Sequence, residues 1–438
     1  MQNAGSPVNQ FTYLPINLSR NMKIALAFLF SFIACQCLAQ SNTDESKVQP
    51  YTLPDVLKMP DGKRVTNSRE WQLKQRPYIY RLFEENQFGR FPATKTAIRF
   101  RVMESDRNAL DGIATRKQVR IWLHPSDSTV YADVLLYIPN NVKKPPVFIA
   151  LNFSGNHTVS TDKHIALSTR WVSSRAKGGV NNRATEASRG ADTASWQLHT
   201  LLQKGFALAT AYCGDWETDT VTGYQTGIRT TMKDILNIQP NEWGAMGAWA
   251  WGLSRIVDYL QQDKAVDARK IALIGHSRLG KAALWAGASD QRIALVISNE
   301  SGEGGAAISR RWYGETVKII NNNFPHWFGA KYRTYGDSVN TLPVDAHMLL
   351  SLIAPRPLYV ASAEDDKWSD PKGEFLSAFE AGKVYALFGK QGIETDKMPE
   401  PNQPVGETVR YHLRTGRHAV TVYDWQQYLE FASREFGK

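Results

Sequence analysis

Three cysteines in 438 residues are too few for a disulfide-built scaffold. No apolar run reaches the ~20 residues that a helix needs to cross a bilayer comfortably, which excludes a polytopic membrane protein. Basic residues outnumber acidic ones by 52 to 42, yet no basic run concentrates them. The net charge of +10 therefore gives little ground for nucleic-acid binding, and a mildly basic surface suits an acidic polysaccharide equally well. Repeats, heptads and long low-complexity linkers are missing too. There is no HExxH-like pairing and no usable cysteine pair, so neither a metal nor a cofactor is expected. What the chain does have is 42% hydrophobic residues, enough for a large core, which excludes disorder as its main state. Thirteen tryptophans suit a surface that stacks on rigid rings, although core packing is the commoner fate of any one of them.

Residues 24–39 read IALAFLFSFIACQCLA, with Arg20 and Lys23 before them and the polar QSNTDES after Ala39. The pattern predicts a signal peptide over 1–39, cleaved near Ala39, and hence a secreted or periplasmic protein with no stable membrane association. Met22 offers a second start, which would make 1–21 an upstream extension. A retained anchor helix is the competing reading, and Cys35 after Ala34 faintly resembles a lipoprotein site, so lipid attachment stays open. Cys35 and Cys37 leave with the leader; Cys213 alone remains, and no internal disulfide can form.

Residues 68–92 are expected to form a helix plus an extended lead-in. Strands are predicted at 118–123, 131–138, 147–153, 206–212, 270–275, 293–298, 357–362 and 409–414. Several are continuous apolar runs, as strands buried on both faces should be. A helix is expected around 247–262, with Trp249, Leu253, Ile256, Val257 and Leu260 on one face. Another starts near Lys281, and a last one closes the chain to Phe436. Buried strands alternating with helices imply an α/β protein: a three-layer sandwich around a mostly parallel sheet. Residues 40–438 read as a single catalytic domain with loop insertions at 155–200 and 303–350.

The segment IALIGHSRLGKAALWAGA is the most informative. A buried strand runs into a tight turn at Ser277 and an amphipathic helix follows at once. This is the setting of the nucleophile elbow of α/β-hydrolases, with Gly275 and Gly280 removing steric conflict around the serine. Glycine usually stands two residues after the nucleophile, where this chain has Leu279. A helix N-cap is the alternative role for Ser277. A serine nucleophile needs a base, and the helix N-terminus offers N–H groups to an oxyanion, with Arg278 adding a fixed cation.

Nine histidines compete for the role of base. His276 adjoins the nucleophile and is expected to point away. In this fold the base follows the last strand, which leaves His412, inside a predicted strand, and His418, on the loop after it. Two places offer an acid: Glu300 after strand 293–298, and Glu364, Asp365 or Asp366 after strand 357–362. The general layout favours the later site, but spacing does not choose between them.

GHSRLGK resembles the G-C-S-R-x-G-K signature of glucuronoyl esterases, carbohydrate esterase family fifteen, with His276 in place of the usual cysteine. The similarity continues through LVISNESGEGGAAISRRWYGETV, NNFPHWF, LPVDAHMLLSLIAPRPLYVASAEDDKWSDP, GRHAVTVYDW and VFIALNFSGNHT, and covers the chain from about residue 50. The resemblance implies the α/β-hydrolase fold and a serine esterase acting on esters of 4-O-methyl-glucuronic acid, the group that links xylan to lignin. By motif it makes Ser277 the nucleophile, His418 the base, Glu300 the acid and Arg278 the oxyanion cation, with Asp366 as alternative or auxiliary acid. It places Lys281, Glu315 and Trp368 against the glucuronate ring, with Arg310 or Arg311 nearby. The implied partner is glucuronoxylan or a lignin–carbohydrate ester, handled by a monomer. Two rivals remain: another carbohydrate esterase, such as an acetyl xylan esterase, and a non-catalytic polysaccharide-binding relative.

Overall fold

Nine strands make one sheet: β1 (Arg99–Ala109), β2 (Ala114–Trp122), β3 (Tyr131–Pro139), β4 (Val147–Asn152), β5 (Ala207–Tyr212), β6 (Ile271–His276), β7 (Leu295–Asn299), β8 (Leu358–Ala363) and β9 (Val409–Arg414). They lie in the order β1-β2-β3-β5-β4-β6-β7-β8-β9. The first three and β5 pair antiparallel, and β5, β4 and β6 to β9 run parallel. This computed structural model describes residues 41–93 and 98–437. The leader expected at 1–39, with Cys35, lies outside the described residues. Asn42–Lys438 pack as one unit.

The parallel strands alternate their side chains between two apolar layers, as the period of two requires. Val147, Ile149, Leu273, Val296 and Val360 face one layer, packed by helices α3 (Ala245–Leu260), α4 (Arg278–Ser289) and α5 (Pro371–Ala386). Phe148, Ala272, Ile297 and Tyr359 face the other, packed by α6 (Val422–Phe436) and the short helix Leu198–Gln203. The result is a three-layer sandwich. Two elements differ from expectation. β1, an edge strand with most side chains exposed, carries no apolar face to announce it. Residues 68–88 are helical throughout, but a regular stretch, Arg76–Phe83, is flanked by two wide π-turns, Trp71–Gln75 and Glu84–Phe88. Among the described residues no helix is long and apolar enough to cross a membrane. Because β4 to β9 point the same way, the loops after β6, β7, β8 and β9 gather at one edge of the sheet, at their C-terminal ends.

Candidate active site

Ser277 sits between β6 and α4 with φ 55° and ψ −132°, a conformation that costs a residue with a side chain ~1–3 kcal/mol. The sequence around it explains how the bend closes. A Cβ on Gly275 would come within 2.1 Å of the Leu279 carbonyl oxygen, and one on Gly280 would meet Ser301 Cβ at 2.9 Å and Gly275 O at 3.0 Å. The second glycine is thus needed at 280, where α4 passes the loop after β7, and Leu279 is free to pack in the core. The helix starts at Arg278, three residues earlier than expected; the N–H groups of Gly280 and Lys281 bond back to the Ser277 carbonyl, which leaves those of Arg278 and Leu279 without an intrahelical partner next to the serine.

The expected base, His418, and both candidate acids converge. His418 Nδ1 lies 2.6 Å from Asp366 Oδ2 and 2.9 Å from Glu300 Oε2. Asp365 is exposed and Glu364 only partly buried; Asp366 alone of the three turns inward. Glu300 itself has φ 46°, a strained start to the loop after β7. Its second oxygen is held by Arg414 at 2.5 Å, and its first also accepts from Ala419 N at 3.0 Å. Arg414, buried at the end of β9, donates further to the carbonyls of Thr415, Arg417 and Ala419, and so clamps the loop that carries His418. Burial opposes charge on the imidazole, but hydrogen bonds to Asp366 and Glu300 prevail and raise its pKa to about 9. Burial raises Glu300 to about 7 despite His418 and Arg414. Asp366 goes the other way: its bond to His418 outweighs burial and lowers it. His412, in β9, is buried between Asp424 and Tyr359.

His276 does not turn away from this group. It is the register partner of Asn299 on β7, and Asn299 Oδ1 holds its Nδ1 at 2.6 Å. That brings its ring to 4.4 Å, centroid to centroid, from His418. Burial, then the charge of His418, pushes its pKa down to about 3, so it meets the base as a neutral ring. His276, Glu300 and His418 are also the group among the described residues with donor atoms close enough, within 4.8 Å, to hold a metal ion. Each is already bonded within the protein: His276 to Asn299, Glu300 to Arg414 and His418 to Asp366.

Arg278 is fixed from two sides. Its Nε pairs with Asp219 at 2.7 Å, and its guanidinium carbon lies 4.5 Å over the Phe153 ring. Asp219 also accepts from His326 Nε2 at 2.8 Å and Trp327 Nε1 at 2.7 Å. Its burial is outweighed by these bonds and by Arg278, and its pKa is lowered. Nothing local in the sequence marks Asp219, Phe153 or Arg414 as functional; Phe153, His326 and Trp327 lie within VFIALNFSGNHT and NNFPHWF, segments that carry the resemblance to glucuronoyl esterases.

Lys281, Glu315 and Trp368 come together. Lys281 Nζ donates to the carbonyls of Ser301 and Glu303, each at 2.6 Å, and lies 3.6 Å from Glu315. Glu315 N donates to Trp368 O at 2.8 Å, and the Trp368 side chain is 44% exposed. Arg310 does not join them. Its guanidinium is buried against Asp345 and the carbonyls of Val344 and Leu342, where it ties the second insertion together. Arg311 pairs with Asp370 and Glu45, each at 2.7 Å. The start of the packed chain braces this wall: Asn42 O accepts from Gly314 N at 2.7 Å, Thr43 O from Tyr313 Oη at 2.8 Å, and Glu45 also pairs with Lys372. A cavity of about 310 Å³ opens beside His418 and His276, walled by Phe153, Trp196, Val420 and Trp425.

A serine strained at a strand-to-helix bend, and a histidine after the last strand held by buried acids, define a serine hydrolase of the α/β-hydrolase class. A family model described as glucuronyl esterase, fungi, matches residues 224–389. Carbohydrate esterase MZ0003, from an unknown prokaryotic organism, is 46% identical over 395 residues, 89% of this chain and 91% of that protein. The solved structure of a glucuronoyl esterase from Solibacter usitatus superposes with a TM-score of 0.84 at 47% identity, covering 90% of this chain and 100% of the other. A 4-O-methyl-glucuronoyl methylesterase from Sodiomyces alcalophilus is 43% identical over 136 residues, 28% of this chain and 27% of that one. The chain belongs to the glucuronoyl esterases, carbohydrate esterase family fifteen, and is a carboxylic ester hydrolase.

Proposed function

We propose that the protein hydrolyses the ester between 4-O-methyl-glucuronic acid side groups of xylan and a lignin alcohol, through an acyl-enzyme on Ser277. The observation that carries this reading is the His418 imidazole, with both acids on its Nδ1 and its ring against the residue that precedes Ser277. Nδ1 keeps its proton between the carboxylates, so Nε2 is left as the base. As Ser277 Oγ attacks the ester carbonyl, Nε2 takes its proton. The oxyanion is met by the N–H groups at the start of α4 and by Arg278, which Asp219 and Phe153 hold ready. The acyl–oxygen bond to the alcohol then breaks, His418 returns the proton to the departing alcohol, and water repeats the sequence to release glucuronate.

The sugar contacts fall to Glu315, Lys281 and Trp368: acceptor, donor and an exposed ring face for the pyranose. The apolar cavity beside His418 suits an aromatic alcohol better than a polar one. The leader at 1–39 accords with export to the cell exterior or periplasm, where such polymers occur. Ser277→Ala is expected to lower turnover of benzyl glucuronate by ~10⁴-fold or more without unfolding the protein. Undiminished turnover would refute the assignment. An enzyme that cleaves acetylated xylan faster than the glucuronate ester would point to the acetyl esterase reading instead.

A further inference from the structure

Beyond Arg278 the same edge of the sheet holds a second cavity, of about 290 Å³. β3 begins and the antiparallel β5 ends there, so Tyr131, Asp133, Tyr212 and Asp215 line it together, closed by Thr169 and Arg170 of the first insertion. The loop after β4 joins it to the catalytic site. Phe153 lies under Arg278, and Asn156, three residues on and hence at most ~11 Å away, lines the cavity. Asp219, which holds Arg278, follows Asp215 by four residues.

The charges here mostly cancel. Arg120 grips Asp133 with two bonds of 2.8 Å and stacks 3.7 Å from the Tyr131 ring. Arg170 lies 4.5 Å from that ring and donates to Tyr131 O. What is left over is one polar gap. The Asp215 side chain is only 8% exposed; its Oδ2 accepts from Asp133 N at 3.0 Å, while Oδ1 faces Arg170 Nε across 3.8 Å. That is too long for a hydrogen bond. The Arg170 Nε has no hydrogen-bond partner, and burial raises the Asp215 carboxyl to about 7. A hydroxyl ~2.8 Å from Oδ1 would donate to it, while the Arg170 Nε beside it is shut off from solvent. Paired charges on every side favour neither an anion nor a cation, so the fitting ligand is uncharged and rich in hydroxyls.

We propose that this cavity is a second sugar subsite, which takes a neutral pyranose unit of the polysaccharide that carries the ester. The inference rests on the function proposed above. Thr169→Trp would fill the cavity from an insertion loop. Asp215→Asn would keep the acceptor for Asp133 N but put an amide N–H₂ in the place of Oδ1, leaving no acceptor for that hydroxyl. Each variant is to be assayed on benzyl glucuronate and on the same benzyl ester carried by a 4-O-methyl-glucuronoyl xylo-oligosaccharide. The expected result is a fivefold to tenfold rise in KM for the long ester alone, with kcat held and the short ester within about twofold of wild type. Equal effects on both esters, or none, would overturn the subsite, with Asp215→Asn deciding should Thr169→Trp not fold. Wild-type enzyme inactive on both esters would instead overturn the proposed function.

Discussion

Two carboxylates on one imidazole nitrogen set a particular pH response. Each stabilises the charged ring, so His418 in the resting enzyme holds a proton up to about 9 and is a competent base only once that proton has left. We expect kcat/KM for benzyl glucuronate to climb with pH through an inflection well above the ~6.5 of an unperturbed histidine. Asp366→Asn removes the closer partner, so the inflection should move down; Glu300→Gln should move it less, because its contact with Nδ1 is longer, 2.9 against 2.6 Å, and Arg414 offsets its charge. Each single replacement is expected to cost ~10–100-fold at the plateau and the pair ~10⁴-fold, as when a triad loses its acid outright. A full loss from one replacement, unchanged by the second, would assign the work to one carboxylate. The sequence marked Ser277, His418 and both acids because each stands just beyond a buried strand. It gave no sign that the two acids would meet on one nitrogen, since their distance depends on the strain at Glu300 and on Arg414 clamping the His418 loop. The direction of His276 follows from its register with Asn299, which no local pattern displays.

Elements meet around Asp219. It lies after β5, binds the first residue of α4 through Arg278, and accepts from His326 and Trp327 of the second insertion. If Arg278 meets the oxyanion as proposed, Asp219 acts on the reaction through the orientation of that guanidinium. Asp219→Asn should lower kcat ~10-fold or more, towards the ~10²–10³-fold typical of a lost oxyanion donor, with little change in KM. In an Arg278→Ala background the same replacement should add almost nothing, which a double-mutant cycle measures. Additive losses would make Asp219 merely structural. At this scale the parallel strands were legible as apolar runs, and β9 matched its expected limits, 409–414. Exposed β1, whose residues alternate with no apolar side, and α5, with Glu374 and Ser377 buried among apolar neighbours, broke the patterns by which such elements are read.

The whole molecule divides its labour between a sheet that carries the chemistry and additions that shape the approach. The insertions at 155–200 and 303–350 read in the sequence as stretches without strand signals; what they bind does not, because the bonds that tie them to the rest of the chain, such as Arg170 to Tyr131 O and His326 to Asp219, are long-range. The brace at 42–45 is one such contact. A chain shortened to begin at Ser46 loses the bonds to Gly314, Tyr313 and Arg311, next to Glu315. Its KM for benzyl glucuronate is expected to rise about fivefold, ~1 kcal/mol of binding, with kcat nearly kept; unchanged KM would show that the wall stands unaided. Glu45 and Arg311 are separated by 266 positions. Proteases that nibble the front of the finished enzyme would weaken its hold on the polymer before they harmed its power to cut.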